Sequence, residues 1–150
     1  MESVFGQSFK NVEVIVVDDG STDGSKQEIA EYLVNQRAVP FIDIEENVGN
    51  TTAFNRGLAL AKGKYIVDLS CDDVLESDRL QSQVDFFERQ NSDVGVIYSD
   101  AMFIDENGRS LNTHFSNPRR IPYEGDVYAK VVSMYFVPAP TMMIKKKGAR

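Results

Sequence analysis

Two adjacent aspartate pairs, Asp18-Asp19 and Asp72-Asp73, are the residues here whose type and spacing best suit chemistry. Each closes a short apolar run. Side-by-side carboxylates disfavour each other's ionised forms unless a cation or hydrogen-bond donors compensate. Asp72 and Asp73 therefore read as a site for magnesium or manganese, hard ions that take carboxylate oxygens together with substrate phosphates. Such an ion would neutralise charge on a departing diphosphate. The competing role is an acidic cap on the next helix, worth about 0.3–1 kcal/mol. Asp18-Asp19-Gly20-Ser21 poses the same choice. Asp19 could accept hydrogen bonds from a ribose hydroxyl or a base N–H, and Gly20 permits a positive φ and close approach of a ligand. Ser21, Thr22 and Asp23 are suited to helix capping. Asp100, after a later apolar run, could support a donor sugar or the metal shell, or cap the turn into the next strand.

The elements that must position these residues alternate between short apolar runs and helical patterns. Residues 12–17 are β-branched and nearly continuous, broken only by Glu13, as suits a strand covered on both faces. A helix follows from about residues 21–25 to 36, with Ile29 and Leu33 four apart and Tyr32 beside them. Residues 39–44 read as a strand. Residues 50–62 read as a helix with Ala53, Leu58 and Ala61 inward and Gly63 as its stop. Residues 65–69 form a strand, residues 77–90 a helix carrying Leu80, Val84 and Phe87, and residues 94–98 a further strand. Asp105-Glu106-Asn107-Gly108 marks a hairpin-like turn after residues 101–104. The pattern weakens after Asn112: residues 114–123 read as a loop, 125–134 as a helix and 141–145 as a strand. This alternation predicts an α/β sandwich with a mostly parallel central sheet and helices on both faces. Ligands of such folds bind beyond the carboxyl ends of the strands, where both acidic pairs fall.

The chain has 150 residues, 42% of them hydrophobic, enough for one domain with a sizeable core. A formal net charge of −7 would repel a phosphate backbone, so nucleic acid is not an expected partner. It leaves room for a small phosphate ligand that arrives with a divalent cation. The single cysteine, Cys71, cannot form an internal disulfide and favours a reducing, cytoplasmic setting. No run of 18 apolar residues reads as transmembrane, so membrane association would fall to segments outside this sequence. Neither G-x-G-x-x-G after the first strand nor G-x-x-x-x-G-K-[ST] occurs, which removes the main support for dinucleotide and P-loop readings.

Three segments, VEVIVVDDGSTDGS, ENVGNTTAFNRGLALAKGKYIVDLSCDD and VGVIYSDAMFIDENG, together resemble inverting family 2 glycosyltransferases with the GT-A, Rossmann-like fold. The resemblance extends from about Ser3 to Lys147. It implies a nucleotide diphosphate sugar donor, uridine diphosphate sugars foremost, a divalent cation, and transfer to a hydroxyl acceptor with inversion of the anomeric centre. Carried over residue by residue, Asp19 would contact the base, and Asp72 and Asp73 would close the DxD-like motif that handles ribose, diphosphate and metal. Asn47 and Gly49 match the loop before the following helix, Asn55 a frequent asparagine within it, and Asp100 an acidic position beyond the next strand. Departures also stand out. Ser70 falls where the family has the first Asp of its motif, and Phe54 where many members have an arginine or lysine. The family's opening strand has no counterpart before Ser3-Val4-Phe5-Gly6-Gln7, and no residue matches the later general base. The sequence thus reads as one partial domain, short at both ends. A missing strand would leave an apolar sheet edge, a template for pairing with a second copy.

The remaining polar residues have plainer expectations. His114, the only histidine, is expected at the surface of a loop. Cys71 is expected to pack inward if its strand continues that far. Arg119 and Arg120 could reach a diphosphate or acceptor but are expected to be solvated, as is the basic run at residues 145–147. Two other classes of function compete: a non-catalytic donor-binding or interaction module of the same fold, and a phosphoacceptor signalling domain using Asp18, Asp19 and Asp73 around magnesium.

Overall fold

A computed structural model describes residues 1–34, 36, 39–134 and 136–146. In chain order the elements are α1 (Glu2–Phe5), β1 (Val16–Asp19), α2 (Ser25–Leu33), β2 (Phe41–Ile44), α3 (Asn50–Leu60), β3 (Tyr65–Ile66), α4 (Arg79–Glu88), β4 (Val96–Ile97), β5 (Met102–Ile104), β6 (Ser110–Thr113), α5 (Tyr128–Ser133) and β7 (Met143–Lys145). Single 3-10 turns occupy His114–Ser116 and Ala139–Thr141. The α/β alternation read from the sequence is present, with strands shorter than the apolar runs, but where a mostly parallel central sheet is expected the sheets are small and partly antiparallel. Residues 12–15 lie outside β1: among the described residues β1 pairs with β2, whose first residue, Phe41, stands opposite Val16. The elements fall into two compact units, residues 9–66 and residues 1–8 with 67–146.

In the unit of residues 9–66, β1 and β2 run parallel, Val16 opposite Phe41 and Asp19 opposite Ile44. Parallel neighbours need a crossover, and α2 supplies it. Asp23 accepts from the Ser25 amide at 3.1 Å and its hydroxyl at 2.6 Å, and Gly24 takes φ +91° just ahead of the helix. The stretch expected to open this helix, residues 21–24, is therefore its capping turn. α3 packs on β1 through Gly57, where an added Cβ would lie 3.2 Å from Val17 Cγ2. A glycine inside a helix costs about 0.5–1 kcal/mol relative to alanine, offset here by that close approach. Glu13, the residue that interrupts the apolar run, accepts from the Lys62 and Gly63 amides and holds the chain just beyond α3.

In the other unit, β4 and β7 are antiparallel, as are β5 and β6. The β5–β6 hairpin is the one expected: Asp105 accepts from the Asn107 and Arg109 amides, and Gly108 takes φ +74°. Leu80 and Phe87 of α4 are buried, with Val84 half-buried between them. The same helix buries Gln83, whose amide donates to the Thr141 carbonyl at 2.8 Å. Arg79 donates to the Met142 carbonyl at 3.4 Å, and burial pushes its guanidinium down to about 10.

Gln7, 1% exposed, links the start of the chain to α4. Its amide nitrogen donates to the Ser3 and Glu76 carbonyls at 3.0 and 2.7 Å, and its oxygen accepts from the Leu80 amide at 3.0 Å. The Leu80 N–H is one of the first-turn donors that a helix leaves without an internal partner. Gln7→Ala should destabilise the chain by about 1–3 kcal/mol for each buried group left unmet. Urea unfolding checks this; an unchanged midpoint would mean that water replaces the side chain.

Candidate functional site

Asp18 and Asp19 are consecutive in β1, so their side chains take opposite faces. Asp18 is 5% exposed and already committed. Its carboxylate accepts from the Ser21 amide at 2.9 Å and lies 3.9 Å from Lys26 Nζ, which contacts Asp43 at 2.6 Å and donates to the Ile44 carbonyl at 3.0 Å. Asp43 sits opposite Asp18 in the ladder, so Lys26 neutralises a pair of neighbouring carboxylates and ties α2 to both strands. Burial pushes the Asp18 carboxyl up, but hydrogen bonds from Ser21 and Gly20 and the charge of Lys26 outweigh it and hold the group below the usual range.

Asp19 is half-buried and works on the loop before α3. Its carboxylate accepts from the Val48 amide at 2.8 Å, and its carbonyl accepts from the Asn47 side chain at 3.1 Å. Asn47 in turn accepts from the Gly49 amide at 3.1 Å, so one end of its amide holds the loop and the other the end of β1. Gly20 has the expected positive φ, +80°, but its close neighbour is protein: an added Cβ would lie 2.5 Å from the Asn47 nitrogen. Asn55 is exposed in the second turn of α3.

Asp72 and Asp73 lie in a turn closed by the Asp73 amide donating to the Ser70 carbonyl at 3.2 Å. The turn is followed by buried Leu75 and by Glu76, whose carbonyl Gln7 holds. α4 begins at Arg79 with Asp78 before it, so the acidic pair does not cap that helix. Asp72 is exposed. Asp73 is half-buried, and burial together with the charge of Asp72 pushes its carboxyl up. Neither Asp72 nor Asp73 forms an ion pair with a described residue. No three His, Cys, Asp or Glu side chains converge as metal ligands among the described residues. Adjacent carboxylates with oxygen ligands only, and without a protein cage, fit an ion whose coordination is completed by phosphate oxygens and water. A phosphoacceptor domain would draw on Asp18, whose carboxylate is already engaged by the Ser21 amide and Lys26.

Asp73 also lines a hollow of about 290 Å³ with Ala101, Met102, Phe103, His114, Arg120, Pro138 and Pro140. Asp100 is not among its lining residues. The Asp100 carboxylate accepts from the Ala101 amide at 2.9 Å and the Phe115 amide at 3.0 Å, as expected of a residue that caps the turn into β5. Burial pushes its carboxyl up, but hydrogen bonds from Thr113, Phe115 and Ala101 hold it below the usual range.

Other expectations need correction. His114 is 2% exposed, packed edge-on against Phe115 with ring centroids 4.9 Å apart. A 3-10 turn after β6 folds the loop inward, a feature invisible in a stretch without periodicity. Cys71 is exposed, because β3 ends at Ile66 and the thiol sits in the turn. Arg120 is half-buried, whereas Arg119 is exposed as expected. Lys145 and Lys146 are half-buried; Lys147 lies outside the described residues. The clustering of Asp73, His114 and Arg120 was not legible in the sequence, since 41 and 47 positions separate the aspartate from its neighbours.

Comparison with known proteins bears on these features. The profile described as glycosyl transferase family 2 matches residues 1–148. An uncharacterized glycosyltransferase of Methanocaldococcus jannaschii is 30% identical over 98% of this chain and 50% of its own length. A putative teichuronic acid biosynthesis glycosyltransferase of Bacillus subtilis is 28% identical over 83% of this chain and 48% of its own. Chondroitin synthase of Escherichia coli is 32% identical over 79% of this chain and 17% of its own. The chain thus spans half the length of these relatives or less. Its α/β architecture is that of the GT-A fold, and with the profile matched across 148 residues the chain belongs to glycosyl transferase family 2.

Proposed function

We propose that residues 1–150 form one nucleotide-sugar-binding domain of a glycosyltransferase that passes a sugar to a hydroxyl acceptor with inversion of the anomeric centre. The observation that carries this reading is the turn presenting exposed Asp72 and half-buried Asp73, adjacent carboxylates without a cationic partner among the described residues and without a capping role. Asp72 and Asp73 would hold magnesium or manganese, which when bound would stabilise negative charge on the diphosphate. Asp19 would receive the base or ribose at the end of β1. Asn47 would keep the adjoining loop in place, with Asn55 and Asp100 as further contacts to the donor. A uridine diphosphate sugar is the favoured donor. A role in glycan synthesis is supported by the printed names of the Bacillus and Escherichia relatives, which concern teichuronic acid and chondroitin; a cytoplasmic setting is proposed with it. No helix among the described residues is long and apolar enough to cross a membrane. The acid–base half of the reaction is assigned to no residue of this chain, so donor binding is the property to test.

Calorimetric titration with uridine, thymidine and guanosine diphosphates, each with and without manganese, provides that test. Selective binding that requires the metal is expected; a folded chain that binds none of the three would remove the donor reading.

A homodimer is also proposed, through β1. Among the described residues β1 pairs on one side only, with β2, and an open strand edge is a template for pairing. Sedimentation should show a monomer–dimer equilibrium; a clean monomer at high micromolar concentration would contradict it.

A further inference from the structure

The hollow beside Asp73 contains a side-chain arrangement that the donor reading leaves unused. Arg120 Nη1 lies 3.2 Å from His114 Nδ1, and His114 Nε2 lies 3.2 Å from the Phe136 carbonyl. A guanidinium only donates, so Nδ1 must accept, and a ring nitrogen that accepts carries no proton. The neutral ring therefore has its proton on Nε2, where it donates to the Phe136 carbonyl. Phe136 is itself buried, edge-on to Tyr98 and Tyr123 with centroids 5.8 and 5.1 Å away. The chain Phe136–His114–Arg120 thus holds one end of the guanidinium from two buried residues. The Phe103 ring, 5.9 Å from Arg120 Cζ, supports its face. Arg120 forms no ion pair with a described residue, although Asp73 lines the same hollow. A half-buried guanidinium, oriented by a neutral histidine and keeping donors uncommitted, is the arrangement that suits a planar or phosphate oxyanion.

We propose that this hollow is an oxyanion subsite of the donor, in which Arg120 is the binding residue and His114 its positioning residue. The inference rests on the donor reading and deepens it. Phosphate oxygens of the diphosphate and the carboxylate of a uronosyl unit share the required chemistry, and the hollow, about 290 Å³, has the volume for either.

The experiment is calorimetric titration of the wild-type chain, Arg120→Gln, His114→Phe and the double variant with pyrophosphate, UDP, UDP-glucose and UDP-glucuronate, at fixed magnesium. Arg120 is half-buried, so Arg120→Gln should leave the fold intact; thermal melts verify this. A loss of about tenfold or more for all four ligands in Arg120→Gln identifies the diphosphate as the anion. A loss confined to UDP-glucuronate identifies the sugar carboxylate. His114→Phe should lose most of the same affinity, and the double variant should bind no more weakly than Arg120→Gln alone; a purely structural histidine would instead add its own loss. Wild-type nucleotide affinities retained in Arg120→Gln would overturn the subsite while leaving the donor reading in place. Arg120-dependent pyrophosphate binding without any nucleotide binding would do the reverse. A wild-type chain that binds none of the four ligands would overturn both.

Discussion

Replacing Gly20 by valine is expected to displace the loop at residues 46–49 and to abolish nucleotide binding. Two costs coincide at this position. The backbone sits at φ +80°, where a β-branched residue pays about 1–3 kcal/mol. The new Cβ would also lie 2.5 Å from the Asn47 nitrogen and 2.8 Å from the Glu46 carbonyl carbon. Both neighbours are backbone, so relief requires the loop to move, and overpacking typically adds about 1–3 kcal/mol. The Asp19 carboxylate would then lose the Val48 amide and the Asn47 side chain its bond to the Asp19 carbonyl. Thermal melts should show the destabilisation, and titration with UDP should show no binding. A variant of wild-type stability and affinity would mean that the loop plays no part in the site.

Gly20 also illustrates what the sequence discloses. An Asp-Gly step after an apolar run announces a turn with positive φ, and the turn is there. The group that approaches the glycine is a non-local matter: residues 46 and 47 lie 26 and 27 positions away, and no local pattern specifies them. The acidic pairs divide in the same manner. Strand period alone sends Asp18 and Asp19 to opposite faces. That Asp18 faces inward to Lys26 and Asp43 depends on β2 and α2, which the pattern locates but does not orient. Helices were legible to within a few residues because Leu80, Val84 and Phe87 recur on one face. Strands were overestimated because apolar residues continue beyond the reach of the partner strand. His114 and Arg120 were the least legible, since they lie in an aperiodic stretch whose packing is decided by contacts with Phe136 and Phe103.

Asp73→Asn is the second change with a large expected effect, and its signature is opposite. Burial and the adjacent charge of Asp72 disfavour the ionised carboxylate in the folded chain, so a neutral isostere relieves repulsion. Stability should be unchanged or slightly higher in urea unfolding. Manganese-dependent UDP affinity should fall at least about tenfold, since loss of outer-shell partners alone costs 10–100-fold at metal sites. Asp72→Asn should lose affinity similarly and alter stability by less than about 0.5 kcal/mol, as expected of an exposed residue. This separation of stability from binding marks residues kept for a ligand and not for the fold. Loss of stability without loss of metal-dependent binding would return the pair to a structural role.

The central claim, that the turn of Asp72 and Asp73 holds a divalent ion together with a nucleotide diphosphate, is tested most directly by nuclear magnetic resonance of the 15N-labelled chain. Trace manganese added with UDP should broaden the backbone signals of residues 70–73 first, while the nucleotide shifts those of Asp19, Gly20 and Val48. Both effects should vanish in the Asp72→Asn/Asp73→Asn double variant, with the remaining spectrum unchanged. Broadening centred elsewhere, or equal in the double variant, would contradict the assignment of this turn as the metal and diphosphate site.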